Sequence, residues 1–321
     1  MIFFIIILFA LYIGWNIGAN DAANCVGADV GSGKMSLKEG IIITSVFSFL
    51  GALLLGSHVT KTIGKGIVPL NRLEPHLGVL LALAAILGAA LFVTFATYKK
   101  LPVSTSHAIV GAVAGAGVAV RAPVVWSKLG DIFICWILTP FSAALFSYFL
   151  YFLAKRLFPR LIPSAWQDQF LRVMILLTSA YMAFTWGAND VANASGVLVG
   201  IGRISLLPAT IICAVAIIIG IVTWGYKVIE TVGSGITRLT PLMVVVVEIA
   251  AAVNINLFTV FGIPVSTSHS IIGAVVGVGL IEGIKTLNKR IIRDIFLAWL
   301  ATPLVSGLLA FFILKIVLLL K

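Results

Sequence analysis

Apolar runs of bilayer-crossing length recur along the whole 321-residue chain. They lie at about 1–20, 41–57, 76–98, 102–120 and 132–158, then at about 171–190, 205–226, 241–261, 264–281 and 292–320. A transmembrane helix needs roughly 20 predominantly apolar residues, and little sequence remains for a soluble domain or a long linker. The pattern therefore dictates an all-α polytopic membrane protein. Composition agrees, with 61% hydrophobic and only 10% charged residues, against roughly 25% charged in soluble domains. The net charge of +11 is no nucleic-acid footprint, because Lys and Arg are spread among loops and the aromatics lie inside apolar runs. Under a ten-span reading, 14 of the 22 Lys and Arg fall on the side away from the N-terminus and 8 on the near side. By the positive-inside rule this places both termini outside. Cys25, Cys135 and Cys213 have no metal-ligand spacing and read as free thiols in apolar segments.

The chain is also written twice. "GANDAANCVG" from Gly18 returns as "GANDVANASG" from Gly187, and "VTKTIGKGI" from Val59 as "VIETVGSGI" from Val228. "PVSTSHAIVGAVAGAG" from Pro102 returns as "PVSTSHSIIGAVVGVG" from Pro264, and "DIFICWILTP" from Asp131 as "DIFLAWLATP" from Asp294. The halves are 1–160 and 161–321, each with about five membrane segments. An odd number of crossings turns the second half upside down, so the expected architecture is two inverted-topology repeats with broken or re-entrant helices. The Gly-rich fourth segment stays open as a re-entrant loop, and Pro140 and Pro303 stay open as breaks in the fifth.

Both repeated motifs carry chemistry. Proline suits the first helical position, so Ser104, Thr105 and Ser106, and their counterparts Ser266, Thr267 and Ser268, belong to first turns whose backbone N–H groups are free. Helix starts with added hydroxyls suit an oxygen-rich anion; simple capping is the plainer alternative. Asp21 with Asn24, and Asp190 with Asn193, place carboxylate and carboxamide oxygens at i and i+3, on one helix face. Intramembrane carboxylates are costly and point to function. Beside an anion they call for a proton or a hard cation, and the flanking Gly18, Gly27, Gly187 and Gly196 are expected to let the helix unwind there. Glu248 lies in an apolar run 16 residues before Pro264, where the first half has Ile86, and is read as a further cation ligand, a proton carrier or the partner of a neighbouring group. His107 and His269 are read as proton carriers or as hydrogen-bonding spacers, and Lys61 with Glu230 as a cross-repeat ion pair or as solvated helix ends.

"GANDAAN"/"GANDVAN" with "PVSTSH" in both halves resembles the inorganic phosphate transporter family over essentially the full chain. The resemblance implies a multi-pass protein of the cell membrane, surrounded by lipid, that cotransports inorganic phosphate with Na⁺, or with H⁺ in other branches; some relatives move sulfate. It implies phosphate between the two "PVSTSH" turns, contacted by Ser104, Thr105, Ser106, Ser266, Thr267, Ser268, Asn24 and Asn193. Na⁺ is then the coupling ion at Asp21, Asn24, Asp190, Asn193 and Glu248, with no other cofactor, no enzymatic activity and a possible homodimer. Where the family often has "PVSTTH", this chain has Ser106 and Ser268, which keeps the hydroxyl. An intramembrane hydrolase with an aspartate dyad and a passive channel are the remote alternatives.

Overall fold

The computed structural model describes residues 2–99, 103–232, 239–283 and 289–320, with side chains at 2–3, 230–232, 289–292 and 294–296 outside the description. The regular structure in these residues is helical throughout. The first half holds α1 (Ile2–Gly31), α2 (Leu37–Leu55), α3 (Ser57–Lys61), α4 (Pro75–Tyr98), α5 (Thr105–Ala119) and α6 (Trp126–Leu161). The second repeats that order with α7 (Ser164–Gly200), α8 (Leu206–Gly220), α9 (Tyr226–Val232), α10 (Pro241–Val260), α11 (Thr267–Glu282) and α12 (Lys289–Leu319). The turns match too: two residues past the ends of α1 and α7 stands a glycine in the left-handed region, Gly33 (φ +73°) and Gly202 (φ +71°). A capping box starts α2, in which Ser36 Oγ accepts from Glu39 N–H at 3.2 Å and Glu39 Oε2 accepts from Ser36 N–H at 2.8 Å.

Among the described residues eight helices are long and apolar enough to cross a membrane, α4 and α10 among them, whereas the fourth apolar run of each half forms a shorter helix that turns back against the third as a hairpin. α5 has 15 residues and α11 has 16, about 22–24 Å at 1.5 Å per residue and short of a hydrocarbon core of about 30 Å. The α4–α5 hairpin opens at the start of α6: a Cβ on Gly117, near the end of α5, would lie 2.8 Å from Val68, and Val125 N–H bonds Ile67 C=O at 2.9 Å. The α10–α11 hairpin opens at the other end of α6, where Glu282 at the end of α11 accepts from Tyr151 Oη at 2.8 Å. The 36 residues of α6 separate these two mouths, so the hairpins enter from opposite ends and their tips point at each other. α1 and α7 likewise run in opposite directions, since Lys34, just past α1, pairs with Asp168 near the start of α7.

Helix contacts explain the small residues. A Cβ on Gly18 would lie 2.0 Å from Ile217 C=O, and one on Gly187 2.0 Å from Ser48 C=O. Such approaches seat α1 on α8 and α7 on α2, as glycine does in membrane bundles generally. The expected unwinding at the "GAND" motifs is therefore not found: α1 and α7 run helically through both, and the glycines serve packing. α6 and α12 likewise continue through Pro140 and Pro303. The short helices sit across the repeat boundary. Gly111 of α5 lies against Pro303 of α12, and Gly273 of α11 against Pro140 of α6, each added Cβ meeting the proline C=O at 2.2 Å.

Candidate functional site

The two hairpin tips bring the predicted motifs together in the C-terminal third of α1 and α7. Thr105, the first residue of α5, places Oγ1 2.9 Å from Asp21 Oδ2 and 3.2 Å from Asp190 Oδ1. One hydroxyl thus touches the carboxylates of both repeats. Asn24 Nδ2 reaches Asp21 Oδ1 at 3.4 Å, and Asn193 Nδ2 reaches Asp190 Oδ1 at 3.1 Å, as the i, i+3 spacing requires. Each asparagine also donates to a hairpin tip of the other repeat: Asn24 to Ser268 Oγ at 2.9 Å and Asn193 to Ser106 Oγ at 3.0 Å. The pairing is reciprocal, so each half completes the other's cluster.

Ser104 and Ser266 are N-caps. Their Oγ atoms accept from His107 N–H at 3.2 Å and from His269 N–H at 3.3 Å. This leaves the N–H groups of Thr105, Ser106, Thr267 and Ser268 as the free donors of two helix starts. Thr267 is 2% exposed and its hydroxyl has none of the carboxylate contacts that Thr105 makes among the described residues. Asn189 Nδ2 donates to Val265 C=O at 2.7 Å and its Oδ1 accepts from Val265 N–H at 3.3 Å, pinning the extended segment before α11. Pro102, the counterpart of Pro264, lies outside the described residues, as does the Glu230 side chain expected beside Lys61.

Behind the tips the histidines are wedged between the repeats. His107 stacks on Trp136 (ring centroids 3.7 Å apart), His269 packs on Trp299 (3.4 Å), and the two imidazoles meet edge to face at 4.4 Å. Each Nδ1 faces the tryptophan C=O of the opposite repeat at 3.5 Å.

Glu248 is not brought into this cluster. It accepts from Thr178 Oγ1 and Ser179 Oγ and faces Asp29, a fully buried carboxylate absent from the sequence-based site. The signal was present: Asp29 interrupts an apolar stretch two turns after Asp21, where the second repeat has Leu198.

A buried cluster in an apolar helical bundle, built from two helix starts and two carboxylates, is the kind of site a membrane transporter of a small, oxygen-rich ion would carry. The comparisons narrow this class. The model of the phosphate transporter family matches residues 17–310, and the chain belongs to that family; it is a multi-pass integral membrane protein and not an enzyme. It is similar to a protein of Pyrococcus abyssi named as a phosphate permease, with 32% identity over 97% of this chain and 96% of the relative. It is also similar to the chloroplastic inorganic phosphate transporter 2-1 of Arabidopsis thaliana, with 29% identity over 95% of this chain and 70% of the relative. A solved structure described as the sodium-dependent phosphate transporter superposes with a TM-score of 0.89, at 26% identity, over 100% of both chains.

Proposed function

We propose that the chain is a secondary active symporter that carries inorganic phosphate with Na⁺, built as two inverted repeats. Phosphate lies between the two hairpin tips, held by the free N–H groups and hydroxyls of Thr105, Ser106, Thr267 and Ser268, with Ser104 and Ser266 shaping the turns as caps. Na⁺ is held by Asp21 with Asn24 and by Asp190 with Asn193. The observation that carries this reading is the Thr105 hydroxyl, which touches both aspartates from a helix start. Anion-receiving and cation-receiving groups are thereby in direct contact.

Charge explains the coupling. No Lys or Arg stands in either motif, so a phosphate dianion has only dipoles, hydroxyls and co-bound cations to neutralise it. Moving one net charge across 100 mV involves about 2.3 kcal/mol; two Na⁺ remove that term for a dianion. The two Asp–Asn pairs supply that number of sites.

The test is uptake of radiolabelled phosphate into proteoliposomes under an imposed Na⁺ or pH gradient. The Na⁺ gradient is expected to drive accumulation and the pH gradient alone is not. Uptake indifferent to Na⁺ but driven by pH would assign H⁺ coupling instead, and competition by sulfate would broaden the substrate.

A further inference from the structure

Side chains from three helices hold the turn that leads into α11. α10 closes in a Schellman turn: Gly262 lies in the left-handed region (φ +69°), its N–H bonds Thr259 C=O at 2.9 Å, and Ile263 N–H bonds Phe258 C=O at 2.9 Å. The last carbonyls of a helix have no partner within it, and His58 of α3 supplies one. Its Nδ1 lies 3.0 Å from Val260 C=O; a carbonyl only accepts, so this nitrogen carries the proton. The two segments are in close contact, since a Cβ on Gly262 would lie 3.1 Å from His58 C=O. Further along, Trp136 Nε1 of α6 donates to Pro264 C=O at 2.9 Å. Val265 comes next, with its N–H and C=O both paired to Asn189 of α7, and Ser266 follows as the N-cap. The chain entering this helix start is thus held at Val260, Pro264 and Val265.

The first half does not repeat the arrangement. Lys227 stands at the position corresponding to His58. Asn20, the counterpart of Asn189, donates instead to Thr97 Oγ1 at 2.7 Å. The Nε1 of Trp299, the counterpart of Trp136, has no partner among the described residues.

We propose that His58 and Trp136 are positioning residues for phosphate binding: they reach across from the first half and fix the second hairpin tip, so that Thr267 and Ser268 meet the anion in one geometry. This rests on the reading of the α11 start as half of the phosphate site. Both residues act through backbone carbonyls, so the role needs an N–H of the right reach and no charge. A helix start binds an anion through N–H groups aimed at it, and a tip already ordered loses less freedom when the anion arrives. Releasing the tip therefore weakens phosphate binding and leaves the maximal rate largely intact.

Tip position is read by double electron–electron resonance on full-length Cys135→Ala protein in nanodiscs, with nitroxides at Lys38→Cys on α2 and Phe261→Cys on the tip. His58→Phe and Trp136→Phe are each expected to broaden the distance distribution or add a second distance. His58→Gln, which keeps a donor N–H, is expected to restore the narrow one. In proteoliposomes His58→Phe is expected to raise the half-saturating phosphate concentration at least about fivefold, and His58→Gln to return it to within about twofold of wild type. The His58 variants carry the test if Trp136→Phe does not fold. Distances unchanged in His58→Phe would overturn the clamp. A loosened tip with unchanged phosphate saturation would overturn the positioning role, and so would equal losses in His58→Phe and His58→Gln. A wild type that takes up no phosphate would instead defeat the symport reading, while the distances still decide whether the tip is held.

Discussion

At the scale of single residues, the central pocket rests on unequal partners. Thr105 touches Asp21 and Asp190, whereas Thr267 has no matching contact among the described residues. A hydrogen bond to a charged group contributes about 1.5–3 kcal/mol, which is roughly tenfold or more in an equilibrium constant. Thr105→Val is therefore expected to lower phosphate uptake at least about tenfold and to do so more than Thr267→Val, compared in the same proteoliposomes. Asp21→Asn and Asp190→Asn are expected to raise the Na⁺ concentration for half-maximal uptake by about tenfold or more, with melting temperatures close to wild type. Normal uptake by both at low Na⁺ would remove the carboxylates from the coupling. Asp21, Asp190, Asn24 and Asn193 were legible because a carboxylate in an apolar run is costly and this one is written twice. Asp29 was not, because it has no copy in the second half and its partner Glu248 lies 219 positions away. Duplication marks a shared role and says nothing about a pair formed once.

At the scale of helices and hairpins, glycine decides what can touch. Any side chain on Gly111 or Gly273 runs into the carbonyl of a proline on the facing helix at 2.2 Å, and backbone cannot yield as a side-chain tip can. Gly111→Val and Gly273→Val are expected to destabilise by about 1–3 kcal/mol or more, seen as lowered melting temperatures in detergent. Gly130→Val, at a position with no neighbouring atom within 4 Å of the added Cβ, serves as the control and is expected to stay near wild type. Apolar run length located ten of the twelve helices and missed the short α3 and α9. It left the fourth run of each half undecided between a crossing and a re-entrant segment, and α5 and α11, at 15 and 16 residues, are shorter than a crossing needs. The glycines of the "GAND" motifs misled for a related reason. A sequence shows that a residue is small without showing whether the space goes to a bent backbone or to a neighbouring helix, and here it goes to the neighbour.

At the scale of the whole molecule, the reading as a symporter has an electrical consequence. If two Na⁺ accompany each phosphate dianion, the cycle moves no net charge. Clamping the membrane at 100 mV should then change the accumulation ratio less than about twofold, whereas one uncompensated charge would change it about fiftyfold. Radiolabelled uptake with a potassium-diffusion potential distinguishes these outcomes. The internal repetition is written in the sequence itself, where four landmark segments recur in order. The exchange of partners between the halves was not, because no residue type encodes which copy of a motif its neighbour belongs to. That exchange bears on how the chain is made. While the ribosome is still translating the second half, α5 is already inside the lipid with its glycine face bare, and its seat at Pro303 has yet to be synthesised. A nascent first half is thus obliged to wait, and the two halves expressed as separate polypeptides should survive in cells together and be degraded apart.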